Sequence, residues 1–226
     1  MKTLSHDQVT RLLQTARDSR LEVFCYLAIA TGMREGELLG LKWCDVDWAS
    51  QSIQVQRQVQ WKNKSKGLEG PRYYFKTPKS QAGVRRISLG VPSMEKLKLQ
   101  KKRVATQSLR AEGEWDEHDL IFPNLLGRPI EPTNLVREFN KILIQADLPK
   151  IRGHDLRHTA ATLMLLKNIH PKVVSERLGH SDIRITLQLY SHAIPTLQAE
   201  AAVMIDEMLN LEPIQVSQPA ENLVNL

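Results

Sequence analysis

The spacing of apolar residues most constrains the fold of this 226-residue chain, because strand-like alternation is confined to short stretches among helical patterns. From Ser52 to Val59 apolar and polar residues alternate with a period of two, which predicts a strand. Further strands are predicted at Arg72–Phe75 and Val84–Leu89, with Gly- and Pro-containing turns between them. Residues 183–190 alternate similarly and are also predicted as a strand. The pattern predicts a mainly α chain with one small antiparallel β-sheet, an α+β class.

Helical spacing accounts for most of the remaining chain. Ser5 and Gln8 fit a capping box ahead of an apolar helical repeat. A second helix is predicted over Leu21–Thr31 and is expected to end at Gly32. Further helices are predicted over Glu35–Leu41, Pro92–Leu109, Thr133–Ala146, His154–Leu166, Pro171–Leu178 and Leu197–Leu209.

Positive charge is concentrated in one segment of the chain. In total, 31 basic and 25 acidic residues give a net charge of +6. From Arg57 to Arg86, nine basic residues stand against one acid, Glu69, so that this segment alone carries +8. The concentration favours a face that binds nucleic acid, with a solvated charged hairpin as the alternative. The candidate DNA contacts are Lys62, Lys64, Lys66, Arg85 and Arg86.

Cysteine content and hydropathy indicate where the chain resides. Cys25 and Cys44 are the only cysteines, both are predicted to be buried packing residues, and they lack the C-x-x-C spacing that holds zinc. No apolar run approaches the roughly 18 residues of a membrane span, and the N-terminus lacks the apolar core of a signal peptide. We expect a soluble protein in a reducing cytoplasm, without a membrane partner.

A cluster of cationic side chains is predicted on the helix that begins near His154. There His154, Arg157 and His158 fall on one face, and Leu156, Ala160 and Leu163 on the opposite, core-facing side. A metal site is one interpretation, but no Glu follows the first histidine and no third ligand is evident. Three hydrogen-bond donors suit an anion better.

Three other residues decide nothing when each is taken alone. Arg34 follows an apolar helix and is typical of a surface arginine that pairs with a nearby glutamate. His180 follows Leu178-Gly179, a helix-end signal, and is typical of a helix-terminus histidine. Tyr190 is typical of a half-buried aromatic residue.

Taken together, the blocks that contain these residues resemble the tyrosine recombinases, and within them the phage-type integrases, over about residues 5–195. The resemblance implies a tyrosine recombinase catalytic-domain fold. The matching blocks are Thr31-Gly-Met-Arg34-Glu-Gly-Glu-Leu-Leu-Gly-Leu-Lys-Trp43; Pro78-Lys79-Ser80 with Arg85-Arg86-Ile-Ser-Leu89; His154-Asp-Leu-Arg157-His158-Thr159; and Leu178-Gly-His180-Ser-Asp-Ile-Arg-Ile-Thr-Leu-Gln-Leu-Tyr190-Ser-His192.

The resemblance implies phosphoryl transfer at DNA with no metal and no nucleotide cofactor. Tyr190 would attack the scissile phosphate and leave a 3′-phosphotyrosyl link and a free 5′-hydroxyl. The non-bridging oxygens would be held by Arg34, Arg157 and His180. Lys79 would protonate the departing 5′-oxygen, with Lys76 as the alternative, and His154 would assist proton movement at the nucleophile.

Elementary chemistry supports these roles. A phenol with a pKa near 10 is only about 0.1% ionised at pH 7, so it needs a nearby base or a cationic pocket. Guanidinium groups match the oxygens of a phosphate and meet the charge that develops in the transition state. A lysine acid suits an alkoxide leaving group, which otherwise departs poorly.

Three rival functions remain open on the sequence. Relaxation of DNA in the manner of a type IB topoisomerase uses the same chemistry without strand exchange. A DNA-binding regulatory fragment with weak catalysis would occupy recombination sites. A metal-dependent nuclease would be inhibited by EDTA.

The expected domain organisation is a catalytic domain over residues 1–211 and a flexible tail over residues 212–226. The additional N-terminal helical domain that relatives carry is expected to be absent. The expected partner is double-stranded DNA at recombination sites, with a tetramer assembled on DNA through the C-terminal segment. A monomer in solution, closed by an intramolecular helix at Leu197–Leu209, is the alternative.

Overall fold

The computed structural model describes residues 2–62, 72–78, 80–193 and 197–209, and the side chains of residues 189–193 and 197–201 lie outside this description. The chain divides into two compact units, Met1–Ala193 and Ile194–Leu226. The boundary expected near residue 211 and the expected tail lie outside the described residues. No helix in the described ranges is long and apolar enough to cross a membrane.

Helices dominate the described residues of both units, as the apolar spacing predicts. Ser5 caps the first helix: its hydroxyl accepts from the Gln8 N–H (3.2 Å), and the Gln8 side chain accepts from the Ser5 N–H (2.9 Å). The helices are α1 (His6–Thr15), α2 (Glu22–Thr31), α3 (Glu35–Leu39), α4 (Val91–Arg110), α5 (Pro132–Gln145), α6 (Gly153–Leu166), α7 (Pro171–Leu178) and α8 (Ile183–Ala193) in the first unit and α9 (Leu197–Leu209) in the second.

The described strands form two small antiparallel sheets instead of the expected one. The strands are β1 (Val46–Asp47), β2 (Ser52–Val55), β3 (Gln58–Trp61), β4 (Tyr73–Lys76) and β5 (Arg85–Ser88). One sheet has the order β1-β2-β5 and the other pairs β3 with β4. The single strand predicted over Ser52–Val59 is therefore wrong. It is interrupted at Gln56 and Arg57, whose side chains bond the buried carboxylate of Asp45. Its two halves pair with different strands, β2 with β5 and β3 with β4.

The strand predicted for residues 183–190 is also wrong, because this stretch belongs to α8. Asp182 caps the helix, since its carboxylate accepts from the Arg184 N–H at 2.8 Å. The alternating residues Ile183 and Ile185 are 37% and 45% exposed, whereas the polar Thr186 is fully buried. The alternation in the sequence thus does not correspond to a buried face.

The core of the first unit surrounds α2, which packs against α4 and α6. Cys25 on α2 is fully buried, as expected. Cys44 is exposed, contrary to expectation. It lies in a short 3-10 turn, Trp43–Asp45, whose buried side chain is that of Asp45. The core thus fixes the C-terminal end of α2 close to α6, where the candidate site lies.

Candidate active site

Two helices of the first unit end against each other at glycines in the left-handed conformation. Gly32 follows α2 with φ 63°, and Gly179 follows α7 with φ 70°. A Cβ at Gly32 would lie 2.4 Å from Leu178 Cδ2, and one at Gly179 would lie 2.7 Å from the Ala82 carbonyl oxygen. Both the backbone conformation and the close approach therefore require glycine.

Carbonyl oxygens at these two helix ends are bound by four arginines. Helix C-termini carry partial negative charge, so they offset part of the repulsion among guanidinium groups placed this close together. The bonds run from Arg157 Nη1 to Gly32 O (2.8 Å), Arg177 Nη2 to Ala30 O (2.9 Å), Arg85 Nε to Arg177 O (2.7 Å) and Arg34 Nη2 to Gly179 O (3.3 Å).

A single buried carboxylate, Glu37, joins two of these arginines. Its oxygens lie 2.7 Å from Arg34 Nη1 and 2.9 Å from Arg85 Nη2. Burial by itself would raise the pKa of Glu37, but hydrogen bonds and charge from Arg85, and hydrogen bonds from Arg34, outweigh it and hold that pKa below its usual value. The Arg34 side chain keeps 37% of its surface exposed and can reach a ligand from the side facing solvent.

Arg157 is a buried cation with an unfilled hydrogen-bonding position. The residue is 3% exposed, and nothing among the described residues accepts a hydrogen bond from Nη2. Burial, followed by repulsion from Arg34, lowers the pKa of Arg157 to about 9. An unpaired buried donor is costly, and an anion bound at this position would supply its missing acceptor.

Three histidines lie close enough to Arg157 for its charge to help lower their pKa values. The pKa of His180 is lowered to about 4, first by burial and then by the charges of Arg157 and Arg34, so its imidazole is neutral at pH 7. On α6 the rings of His154 and His158 lie edge to face with centroids 4.9 Å apart. Burial is also the main cause that lowers the pKa of both, which favours neutral rings able to accept a proton.

The expected division of α6 into a polar and a core face is wrong for Arg157. Its guanidinium lies in the interior because it bonds Gly32, whereas His154 is exposed and His158 is half-buried. No group of three His, Cys, Asp or Glu in the described part of the chain is placed to hold a metal ion. The arrangement that the structure does provide is a pair of arginines beside neutral imidazoles.

Comparison with known proteins identifies the family. A model of the phage integrase family matches residues 2–196. The chain belongs to this family. It is 31% identical over 213 residues to a tyrosine recombinase XerC-like protein of Caldanaerobacter subterraneus subsp. tengcongensis, covering 92% of this chain and 54% of that protein. It is 30% identical over 189 residues to the ICEBs1 integrase of Bacillus subtilis, covering 83% and 49% respectively.

This integrase-family chain thus spans about half the length of these curated relatives. A solved structure of the Tn1549 transposon integrase in complex with transposon right end DNA shares its fold, with a TM-score of 0.73 at 24% identity. The match covers 93% of this chain and 66% of that one. The expected mainly α fold of a tyrosine recombinase catalytic domain is confirmed, with two small antiparallel sheets among the described strands in place of the one expected.

Other residues expected to act in an integrase are only partly described. Tyr190 belongs to α8, but its side chain lies outside the description. Three of the predicted lysines lie entirely outside the described residues: Lys64, Lys66 and Lys79. Lys76, the alternative general acid, is exposed on β4, opposite Gln58.

The expected DNA contacts in the described part of the basic segment differ in their surroundings. Lys62 is half-buried just after β3, where its N–H donates to Arg72 O at 2.8 Å. Arg86 is 61% exposed on β5. Arg85 points the opposite way, and its guanidinium is engaged by Glu37 and by the Gly83 and Arg177 carbonyls. This burial argues against the expected DNA contact at Arg85 and for a supporting role beneath the site.

Sequence reasoning did not identify Glu37, Arg177 or Thr186 as parts of the site. For Glu37 a signal existed, because a glutamate three residues after Arg34 can pair with it on a helix. Nothing in the sequence marks Arg177, which joins α7 to Ser88 and Ala30, or Thr186, which bonds His180. These contacts of Arg177 and Thr186 join segments whose packing cannot be predicted from the spacing of apolar residues.

Proposed function

We propose that this chain is the catalytic domain of a site-specific DNA recombinase or integrase, which cleaves and rejoins DNA through a 3′-phosphotyrosyl intermediate without metal or ATP. The observation that carries the proposal is the unfilled Nη2 of buried Arg157, next to Arg34 and a neutral His180. A non-bridging phosphate oxygen is an acceptor of the right charge and geometry for such donors.

In the proposed step the phenolic oxygen of Tyr190 forms a bond to phosphorus. The phenolic proton leaves with the assistance of His154, whose lowered pKa keeps its ring free to accept it. The bond from phosphorus to the 5′-oxygen breaks, and a lysine gives that oxygen its proton. Because Arg34, Arg157 and His180 are fixed before the reaction, they stabilise the developing negative charge without reorganising.

The lysine that acts as general acid is proposed to be Lys79, and Lys76 remains the alternative. Lys76 is the last residue of β4 and Lys79 lies three residues further along the sequence, so both belong to the basic segment expected to lie against DNA. The ammonium group of a lysine can donate its proton to a departing alkoxide.

Double-stranded DNA is the proposed partner. Solved structures with this fold include the Tn1549 integrase in complex with transposon right end DNA and a lambda integrase dimer bound to a COC′ core site. For self-association, helix α9 offers an apolar surface within its own unit, with Val203, Met204 and Met208 between 56% and 77% exposed. We propose that such a segment links subunits into a tetramer on DNA.

A covalent-trapping experiment tests the function. The protein would be incubated in EDTA with nicked duplexes tiled from the DNA that flanks its gene, and SDS-resistant protein–DNA adducts would be measured. An adduct formed by the wild type and lost in Tyr190→Phe, with DNA binding retained, supports tyrosine transfer. An adduct that persists in Tyr190→Phe would identify another nucleophile and contradict the proposal. Exchange of strands between two duplexes, as opposed to relaxation of a supercoiled plasmid, separates recombination from topoisomerase-like activity.

A further inference from the structure

Thr186 is the one fully buried residue in the part of α8 whose side chains are described, and its hydroxyl touches the site. Its neighbours Ile185 and Leu187 are 45% and 41% exposed, whereas Thr186 is 0% exposed. The Thr186 Oγ1 lies 2.8 Å from Nδ1 of His180, across the turn that joins α7 to α8. This contact connects α8, the helix that carries Tyr190, to His180 at the end of α7.

The direction of this hydrogen bond follows from what else each group can bind. If His180 Nδ1 carried the proton and donated to Thr186, the threonine hydroxyl would need another acceptor for its own proton. Among the described residues no carbonyl or carboxylate accepts from it, not even the backbone oxygen one turn earlier that often does so in helices. A buried hydroxyl without an acceptor is unfavourable. This environment favours the threonine hydroxyl as the donor to Nδ1, which then carries no proton.

The ionisation of His180 agrees with this geometry. Burial and the charges of Arg157 and Arg34 hold its pKa at about 4, so the ring has one proton at pH 7. With Nδ1 occupied by the threonine hydroxyl, that single proton resides on Nε2.

We propose that Thr186 is a positioning residue that holds His180 in the Nε2–H tautomer, so that Nε2 is the nitrogen that donates to the phosphate oxygen. The proposal rests on the proposed function for the identity of the acceptor, but the tautomer is a property of the protein without DNA. Thr186 and Tyr190 lie four residues apart on α8, about one helical turn. The hydrogen bond between Thr186 and His180 therefore links the orientation of the proposed phosphate donor, His180, to the position of the helix that carries the nucleophile.

Two substitutions separate the hydroxyl from the volume of the side chain. Thr186→Val keeps the shape but removes the donor, and Thr186→Ser keeps the donor but removes a methyl group. The tautomer would be measured from the ring-nitrogen chemical shifts of His180 in ¹⁵N-histidine-labelled protein, with His180→Gln used to assign its signals among the seven histidines. We expect an Nε2–H ring in the wild type and in Thr186→Ser. In Thr186→Val we expect ring shifts displaced toward the Nδ1–H form.

The wild-type spectrum is decisive even if a variant fails to fold. An Nδ1–H ring in the wild type, or an unchanged Nε2–H ring in a folded Thr186→Val protein, would overturn the proposal. The trapping assay then measures the consequence for the reaction. We expect Thr186→Val to slow adduct formation by roughly tenfold or more, which is a smaller effect than the roughly 10²- to 10³-fold loss expected when a donor itself is removed. Thr186→Ser should form the adduct at the wild-type rate. Equal rates in all three proteins would overturn the positioning role.

These two readouts also separate this proposal from the proposed function. If the wild type forms no adduct on any duplex but its His180 is Nε2–H and changes in Thr186→Val, the function fails while the role of Thr186 in fixing the tautomer stands. If the adduct forms and the tautomer is independent of Thr186, the function stands and this inference fails.

Discussion

Arg85 and Glu37 form a buried ion pair beneath the candidate site, with 2.9 Å between Arg85 Nη2 and Glu37 Oε2 and with side chains that are 7% and 1% exposed. Glu37 in turn bonds Arg34, so the position of this proposed phosphate-binding residue depends on a buried ion pair. Removing one partner of a buried pair leaves the other charge uncompensated, which is much more costly than losing an exposed pair.

The first prediction compares Arg85 with its neighbour on the same strand. We expect Arg85→Met to lower the free energy of unfolding by about 3 kcal/mol or more, because the buried Glu37 carboxylate loses one of its two cationic partners and keeps only the partly exposed Arg34. Arg86→Met, at an exposed position facing the other way, should change it by less than about 0.5 kcal/mol. Urea unfolding of the three proteins measures both values. Equal losses in the two variants would show that the pair is not the source of the stability.

The same two residues illustrate what the sequence can and cannot predict. The charge of the segment predicts DNA contacts for both Arg85 and Arg86. Adjacent residues of a strand face opposite sides, however, so only one of the two can face the interior. Which one is buried depends on the packing of α7 against β5. By contrast, the end of α2 at Gly32 and the capping box at Ser5 were predictable, because local backbone chemistry determines them.

Long-range contacts account for most of what the sequence could not predict. Residues 183–190 alternate like a strand, yet they are helical, with a cap at Asp182 and with Thr186 buried. The Arg177 bonds to Ala30 and Ser88 span 147 and 89 residues, beyond the range of any periodic pattern. The motifs therefore allowed candidate site residues to be named, whereas the contacts that support them could only be found in the fold.

The second prediction concerns the unfilled position at Arg157. Inorganic phosphate should raise the Tm of the wild type relative to chloride at equal ionic strength, because an anion that binds only the folded state stabilises it. Arg157→Met should lose this response. Arg177→Met is the matched control, since both terminal nitrogens of Arg177 already bond carbonyls and its loss should lower stability without abolishing the response to phosphate. A phosphate response retained in Arg157→Met would place the anion elsewhere.

Kinetics provide the corresponding prediction for the reaction. Arg157→Ala should slow adduct formation by about 10²- to 10³-fold, the usual consequence of losing one preorganised donor to a developing charge. Single-turnover trapping on a nicked duplex at saturating protein measures this rate independently of DNA affinity. A variant that cleaves at the wild-type rate would remove Arg157 from the proposed machinery.

The third prediction is a pH dependence that arises from His180. Its pKa is about 4 in the folded protein, compared with an ordinary value near 6.5, because of burial first and then the nearby side chains of Arg157, Arg34, His158 and Arg85. Between these two pH values the unfolded chain binds a proton at this position and the folded chain does not, so stability is complete above about pH 6.5 and decreases as the pH falls toward 4. Unfolding in urea at several pH values should therefore show a smaller acid loss in His180→Asn than in the wild type. Parallel curves for the two proteins would contradict the lowered pKa.

The fourth prediction distinguishes the two candidate general acids by the chemistry of the leaving group. Lys79→Ala should slow cleavage of an ordinary duplex strongly, but not of a duplex whose scissile 5′-oxygen is replaced by sulfur, because a thiolate leaves well without protonation. Lys76→Ala should slow both substrates equally or neither, as expected of a residue that only contacts DNA. The measurement is the ratio of the two cleavage rates for each protein. If the sulfur substrate rescues Lys76→Ala instead, the general acid is Lys76, and Lys79 belongs with the DNA contacts of the basic segment.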